Sequence, residues 1–213
     1  EERAMELFAY YRSTSSYRVR IALALKGLDY QAVPINLLKG EQRQPIYQAI
    51  NPQGRVPALR TDDGSVLIQS PAIIEYLEER YPVRPLLSED LITRTHERAV
   101  AALVACDIHP LHNVSVLNQL RQQGQNEEQV SQWIEQWISQ GLAAIEHMIG
   151  DSGYCFGPEP GLADVYLIPQ VYAAQRFNVS LAAYPRIARV AALAEQHPAF
   201  IQAHPARQPD TPI

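Results

Sequence analysis

A change of pattern at Pro82 divides this chain into two parts that cannot share one architecture. Ahead of it, β-rich runs alternate with helical ones. Met5–Tyr10 reads as a strand. Val19, Ala22, Leu23 and Leu25 then recur at core spacing in a helix that Gly27 is placed to cap. Tyr30–Ile35 is β-rich and interrupted by Pro34, as an edge strand tolerates. A short polar helix is expected around Arg43–Ala49, and Val56–Arg60 and Ser65–Ile68 form a hairpin about Asp62-Asp63-Gly64. Ser70 as N-cap and Pro71 at the first helical position open another helix, with Ile73, Ile74, Leu77 and Tyr81 on its apolar face. This β-α-β-α-β-β-α order implies an α/β sandwich of about 80 residues.

Beyond Pro82 almost everything has helical periodicity. The expected division is an α/β domain over 5–82, a linker over 83–88 and an all-α domain over 89–213. In the helical part, Thr93–Cys106 is one amphipathic pattern that Pro110 kinks or ends. Gln119–Glu128 is polar and reads as a loop; Ser131–Ile149, Leu162–Arg176 and Ile187–Gln196 read as helices. Pro205, Pro209 and Pro212 imply an extended tail. Trp133 and Trp137, one turn apart, are read as packing residues.

The net charge of −5 gives no electrostatic reason to expect nucleic acid or an anionic membrane as a partner. No segment approaches the roughly 18 unbroken apolar residues of a membrane span. Glu1–Ala4 lack the apolar stretch of a secretory signal and read as an addition ahead of the first strand. Two scattered cysteines, Cys106 and Cys155, do not make a secreted framework, so a cytoplasmic protein with two buried thiols is expected.

Chemistry concentrates between Arg12 and Leu23. Four hydroxyls, Ser13, Thr14, Ser15 and Ser16, stand between two arginines where a strand feeds a helix. Such a junction offers unpaired backbone N–H groups, a positive dipole end and hydroxyl donors at one point, which suits an anion or a thiolate. An ordinary N-cap accounts for the same residues. A second group is Gln53-Gly-Arg-Val-Pro-Ala58, with Gln69-Ser70 beyond it. A cis Val56–Pro57 bond would turn the Val56 N–H and C=O outward to pair with a bound peptide. Ser70, opening a helix, offers its hydroxyl and N–H to a carboxylate.

Arg12-Ser-Thr-Ser-Ser-Tyr-Arg-Val-Arg20, Val56-Pro57 and Gln69-Ser70 resemble the glutathione-binding domain of glutathione S-transferases, most closely the zeta class. The likeness continues through Asn36-Leu-Leu-Lys39, Ala72-Ile-Ile-Glu-Tyr-Leu77, Asn113-Val-Ser-Val-Leu117, Pro169-Gln170, Arg176-Phe177 and His204-Pro-Ala-Arg-Gln-Pro-Asp-Thr-Pro212. It implies a thioredoxin-like N-terminal domain, an all-helical C-terminal domain, a homodimer and glutathione as cofactor. The implied activity is cis–trans isomerisation of maleylacetoacetate, a small dicarboxylate of aromatic amino acid catabolism, to fumarylacetoacetate. Isomerisation of maleylpyruvate, or a general glutathione transferase or peroxidase activity, is the alternative.

By the same resemblance, Ser13 holds the glutathione sulfur, with Thr14 and Ser15 as competing hydroxyls. Gln42, Val56, Gln69 and Ser70 contact the glutathione peptide and its γ-glutamyl end. His109, Asn113 and Ser115 line the site, and Arg176 with Arg12 receives substrate carboxylates. Two positions depart from the zeta pattern: Ser15 replaces a common cysteine, and His109 a common glutamine. His109 is similar to the residue in bacterial maleylpyruvate isomerases, but Val114 and Ser115 stand where those carry paired arginines.

Cys106, His109 and His112 invite a metal reading. A continuous helix would swing His112 about 60° away from the other two, and a fourth ligand is missing, so no metal is expected. Arg18 and Arg20 are expected in surface pairs. Asp164 is expected to reach back to the N–H of Gly161 as a folding element.

Overall fold

In a computed structural model that describes residues 3–213, the first part of the chain folds around a four-stranded mixed sheet in the order β2-β1-β3-β4. The first two residues of the Glu1–Ala4 addition lie outside the described residues. Strand β1 (Glu6–Ala9) pairs in parallel with β2 (Gln31–Pro34) and antiparallel with β3 (Ala58–Arg60), which pairs antiparallel with β4 (Val66–Ile68). β2 is the edge strand, where the missing N–H of Pro34 costs no ladder bond.

Helix α1 (Thr14–Lys26) ends at Gly27, whose φ of 66° is the left-handed cap only glycine adopts cheaply. Helix α2 spans Pro45–Gln48 and α3 spans Ser70–Arg80. Val19, Ile21, Ala22, Leu23, Ile73, Ile74 and Leu77 bury the α1 and α3 faces, and Phe8, Ile35, Tyr47 and Ala58 form a second cluster. Two N-terminal details differ from the sequence reading. Ser70 is the first helical residue rather than the cap, and Gln69 precedes it at φ 71°. Arg18 and Arg20 are not surface residues: each is only 2% exposed.

The second part is helical: α4 (Leu91–Ala102), α5 (Val114–Gln122), α6 (Glu127–Met148), α7 (Leu162–Arg176) and α8 (Pro185–Gln196). Asp90 caps α4 through the Thr93 N–H at 2.9 Å. After Ala102 the helix widens into a π-type turn, Leu103–Ile108, then tightens to a 3₁₀ turn, His109–His112. Pro110 has no N–H to continue an α ladder, and the pitch changes around it. By length and composition alone Leu91–Gln122 passes for a membrane span, as a soluble core helix also does, but these changes of pitch divide it. The polar loop expected over 119–128 shrinks to a turn over 123–126, because Asn126 and Gln129 form a reciprocal capping box that starts α6 early. Gly141 is buried inside α6, and a Cβ there would stand 2.2 Å from Ile108 Cδ1.

The boundary also differs from the expected one. The residues up to Pro85 group with His197–Ile213, and Leu86–Gln196 form the other unit. The tail expected from the last three prolines is not fully extended: after α9 (Pro198–Ala203) it contains a 3₁₀ turn, Pro205–Arg207. Proline is compatible with both, since each begins with one, where no N–H is needed. Arg20 draws this segment to the first unit by donating from Nε to the Ala203 carbonyl at 2.9 Å.

Candidate active site

In the first unit, Ser13 is the N-cap of α1, and its Oγ accepts the Ser16 N–H at 3.1 Å. With one lone pair so engaged, its own O–H remains to donate outward. Thr14 is buried at 8% exposure, while Ser13, Ser15 and Arg12 are partly exposed. No acidic side chain occupies the first turn of α1 or α3, so nothing there offsets the positive helix ends.

The Val56–Pro57 bond is cis. The loop before it is held by the Tyr47 hydroxyl and Asn51 Nδ2, both donating to the Arg55 carbonyl at 2.5 and 2.7 Å. Burial pushes the Tyr47 phenol up to about 12, keeping it a neutral donor. Gly54, at φ 65°, passes so close to Gln42 that a Cβ would lie 3.0 Å from the Gln42 carbonyl oxygen. Gln69 Nε2 donates to Gln53 Oε1 at 2.6 Å, and Arg18 Nη1 donates to Ser70 Oγ at 3.2 Å. These contacts link Gln42, the Val56 loop, Gln69 and Ser70, with Ser13 tied in along α1. The Arg18 bond also fixes the polarity of Ser70: its oxygen accepts from below, so its proton is left for an external acceptor.

These residues fit glutathione. The Gln42 side-chain oxygen is buried without a hydrogen-bond partner among the described residues, a cost that a ligand N–H removes. The backbone at Val56 is of the kind that pairs with a peptide, and Ser70 presents a donor at a helix N-terminus.

In the helical unit, the His109 ring lies tilted against His112 with centroids 5.2 Å apart, and His112 lies edge-on to Phe177 at 5.5 Å. Arg176 spreads its guanidinium over Phe177 at 4.7 Å and is otherwise exposed at the end of α7. Three rings therefore join His109 to Arg176. Asn113 precedes α5 without using its side chain as a cap, and Ser115 is exposed in the first turn. His112 and Gln170, 4% and 0% exposed, bond at 2.9 Å. The sequence offers no pattern that pairs His112 with Gln170 or Arg18 with Ser70, and His112 is read there only as a candidate metal ligand. The nearest signal was their adjacency to the Asn113–Leu117, Pro169-Gln170 and Arg12–Arg20 segments.

Among the described residues no group of three or more His, Cys, Asp or Glu side chains is arranged to hold a metal ion. Cys106 is exposed rather than buried, on the face opposite Val100, Val104 and Ile108; Cys155 is buried. Burial, with Asp164 beside it, holds the Cys155 thiol well above its usual pKa, so it supplies no thiolate. Asp164 itself accepts the Gly161 and Cys155 N–H groups at 2.9 and 3.0 Å, and burial raises its pKa.

Comparison with known proteins gives the family. The model of the glutathione S-transferase N-terminal domain matches residues 12–80, and that of the C-terminal domain residues 126–200. A maleylacetoacetate isomerase of Pseudomonas aeruginosa is 71% identical over 210 residues, covering 98% of this chain and 99% of that protein. A maleylpyruvate isomerase of Ralstonia sp is 46% identical, covering 97% and 100%. The structure of a maleylacetoacetate isomerase from Anaeromyxobacter dehalogenans with glutathione in its active site is 42% identical, with a TM-score of 0.89 and 98% of each chain covered. The chain belongs to the glutathione S-transferase family, in its zeta class.

Proposed function

We propose that this chain is a glutathione-dependent isomerase that converts maleylacetoacetate to fumarylacetoacetate in aromatic amino acid catabolism. The observation that carries this reading is the 71% identity, along nearly the whole chain, to a maleylacetoacetate isomerase. When bound, glutathione supplies a nucleophilic thiolate that adds reversibly to an alkene conjugated with a carbonyl, which frees rotation about that bond.

The chain's own residues do the rest. Ser13 donates its O–H to the sulfur and favours the charged form. Gln42, Val56 and Gln69 hold the peptide, and Ser70 donates to the γ-glutamyl carboxylate. Arg176 and Arg12 take the substrate carboxylates, and Arg12 or His109 donates to the oxygen on which charge develops. Asn113 and Ser115 line the substrate side. Thr14 and Ser15 are the competing hydroxyls; the burial of Thr14 and the N-cap position of Ser13 support Ser13 as the sulfur's partner.

Pairing of two copies, as the resemblance implies, belongs to this proposal, and sedimentation equilibrium tests it. So does a cytoplasmic location, which the free thiols at Cys106 and Cys155 support.

The test is turnover with glutathione on maleylacetoacetate, maleylpyruvate, and chloro-aromatic or haloacid substrates. With Val114 and Ser115 in place of an arginine pair, kcat/KM favours maleylacetoacetate over maleylpyruvate. The reverse order assigns the chain to maleylpyruvate, the reading favoured by His109. Conjugation without isomerisation makes it a general transferase.

A further inference from the structure

We propose that the C-terminal segment positions the Ser13 hydroxyl, with Asp210 and Arg20 gripping the two peptide planes that flank Tyr11. The Tyr11 N–H donates to Asp210 Oδ2 at 2.9 Å, across 199 residues of chain. The Tyr11 carbonyl accepts from Arg20 Nη2, also at 2.9 Å. A peptide group is planar, so pinning the plane on each side of Tyr11 fixes the direction in which the chain leaves toward Arg12 and Ser13. The turn closes with the Ser13 N–H donating to the Tyr10 carbonyl at 3.0 Å.

Neither anchor is loose. Arg20 is 2% exposed, lies 5.4 Å from the Tyr17 ring centroid and also donates to the Ala203 carbonyl at the end of α9. Asp210 sits in a braced segment. Gln208 Nε2 donates to the Gln202 and His204 carbonyls at 3.1 and 2.9 Å, and the Thr211 hydroxyl to the Pro205 carbonyl at 2.5 Å. The His204 ring packs edge-on to Tyr17 at 6.1 Å. A hydrogen bond to a carboxylate is stronger than one between neutral groups, so an acid at position 210 makes a firmer brace than an amide. Asp210 and Arg20 are positioning residues: they touch Tyr11 rather than substrate.

This inference rests on the reading of Ser13 as the sulfur's partner. The test uses the full chain with Asp210→Ala and Asp210→Asn. In ligand-free protein, Asp210→Ala speeds amide exchange at Tyr11 and Ser13 about tenfold, while Ile73 in α3 keeps its wild-type rate. With glutathione added, the ultraviolet thiolate band weakens at neutral pH. The kcat for isomerisation falls about tenfold with little change in the KM for glutathione, because Gln42, Val56, Gln69 and Ser70 are untouched. Asp210→Asn, which keeps an acceptor oxygen, recovers part of each effect.

Unchanged exchange at Tyr11 and Ser13 overturns the proposal. So does a loss shared equally by KM and kcat with a lowered thermal midpoint, the mark of a merely structural brace. If wild type itself shows no bound thiolate, the glutathione reading fails and takes this proposal with it. If wild type shows the band and Asp210→Ala keeps it at full strength, only the positioning role is lost.

Discussion

In the first unit, the groups assigned to glutathione sit where the backbone itself is unusual. Ser13 is an N-cap, Val56 precedes a cis proline, Gln69 has a φ of 71° and Gly54 one of 65°. In the helical unit, Arg176 and Ser115, two of the groups assigned to substrate, are ordinary helical positions with side chains at the surface. Arg176 closes α7, and Val114 and Ser115 open α5, with Val114 63% exposed. The difference separates what can vary from what cannot. A backbone-built site changes only if the local fold changes, whereas an exposed residue in a first helical turn is exchanged at little cost to stability. Under the proposed assignments, one glutathione-binding unit is therefore compatible with several substrates, selected by a few exposed side chains.

The sharpest way to break this comparison is at Ser13. Removing its donor in Ser13→Ala raises the pKa of the bound thiol, so activity falls most near neutral pH, about a hundredfold, and less in alkaline solution. Ser15→Ala leaves the titration near wild type. Ultraviolet difference titration of bound glutathione reads both, and the opposite pattern transfers the sulfur to Ser15.

Next in size is Arg176→Ala. Loss of a charge-assisted bond costs roughly 1.5–3 kcal/mol, or one to two decades in kcat/KM for isomerisation, with glutathione affinity almost unchanged. A matching loss of glutathione affinity would mean that the helical unit shares in cofactor binding and would blur the division.

A smaller effect tests the helical unit's packing. Gly141→Ala gains about 1 kcal/mol of helix propensity. The new Cβ would overlap the Ile108 side chain and force it to move, at an overpacking cost of about 1–3 kcal/mol. Net destabilisation of about 1 kcal/mol is expected in urea unfolding. Stabilisation would show that the π-type turn yields freely.

The smallest effect lies in the β3–β4 hairpin. Hydrogen bonds from Thr61 and Ser65 hold the Asp63 carboxyl at about 2, below its ordinary 3.8. A depressed acid stabilises the fold above its unfolded pKa and loses that contribution as pH falls toward 2. Asp63→Asn should flatten the acid limb of thermal stability slightly between pH 4 and pH 2, measured against wild type.

The sequence was most readable where one residue type is forced by geometry. Gly27 marked the end of α1, Pro34 the edge strand, and Asp62-Asp63-Gly64 the hairpin. Leu162–Arg176 was bounded correctly because its cap and periodicity agree. Most of the failures involve partners distant in sequence. Charge alone places Arg18 and Arg20 at the surface, whereas Ser70, Tyr11 and Ala203 accept hydrogen bonds from them inside. The polar character of residues 119–128 suggested a loop, but a capping box between Asn126 and Gln129 starts α6 within it. His112 and Gln170 lie 58 residues apart, and no local pattern announces their bond.

The return of His197–Ile213 to the first unit makes the helical unit, Leu86–Gln196, an insertion within it. Synthesis runs from the N-terminus, so α1 leaves the ribosome long before the Ala203 carbonyl and Asp210 exist to complete its surroundings. Closing contacts across so much chain carries an entropic cost that slows their formation. The unit made first is therefore finished last, and a chain interrupted in translation before its final turn holds Ser13 without the brace that aims it.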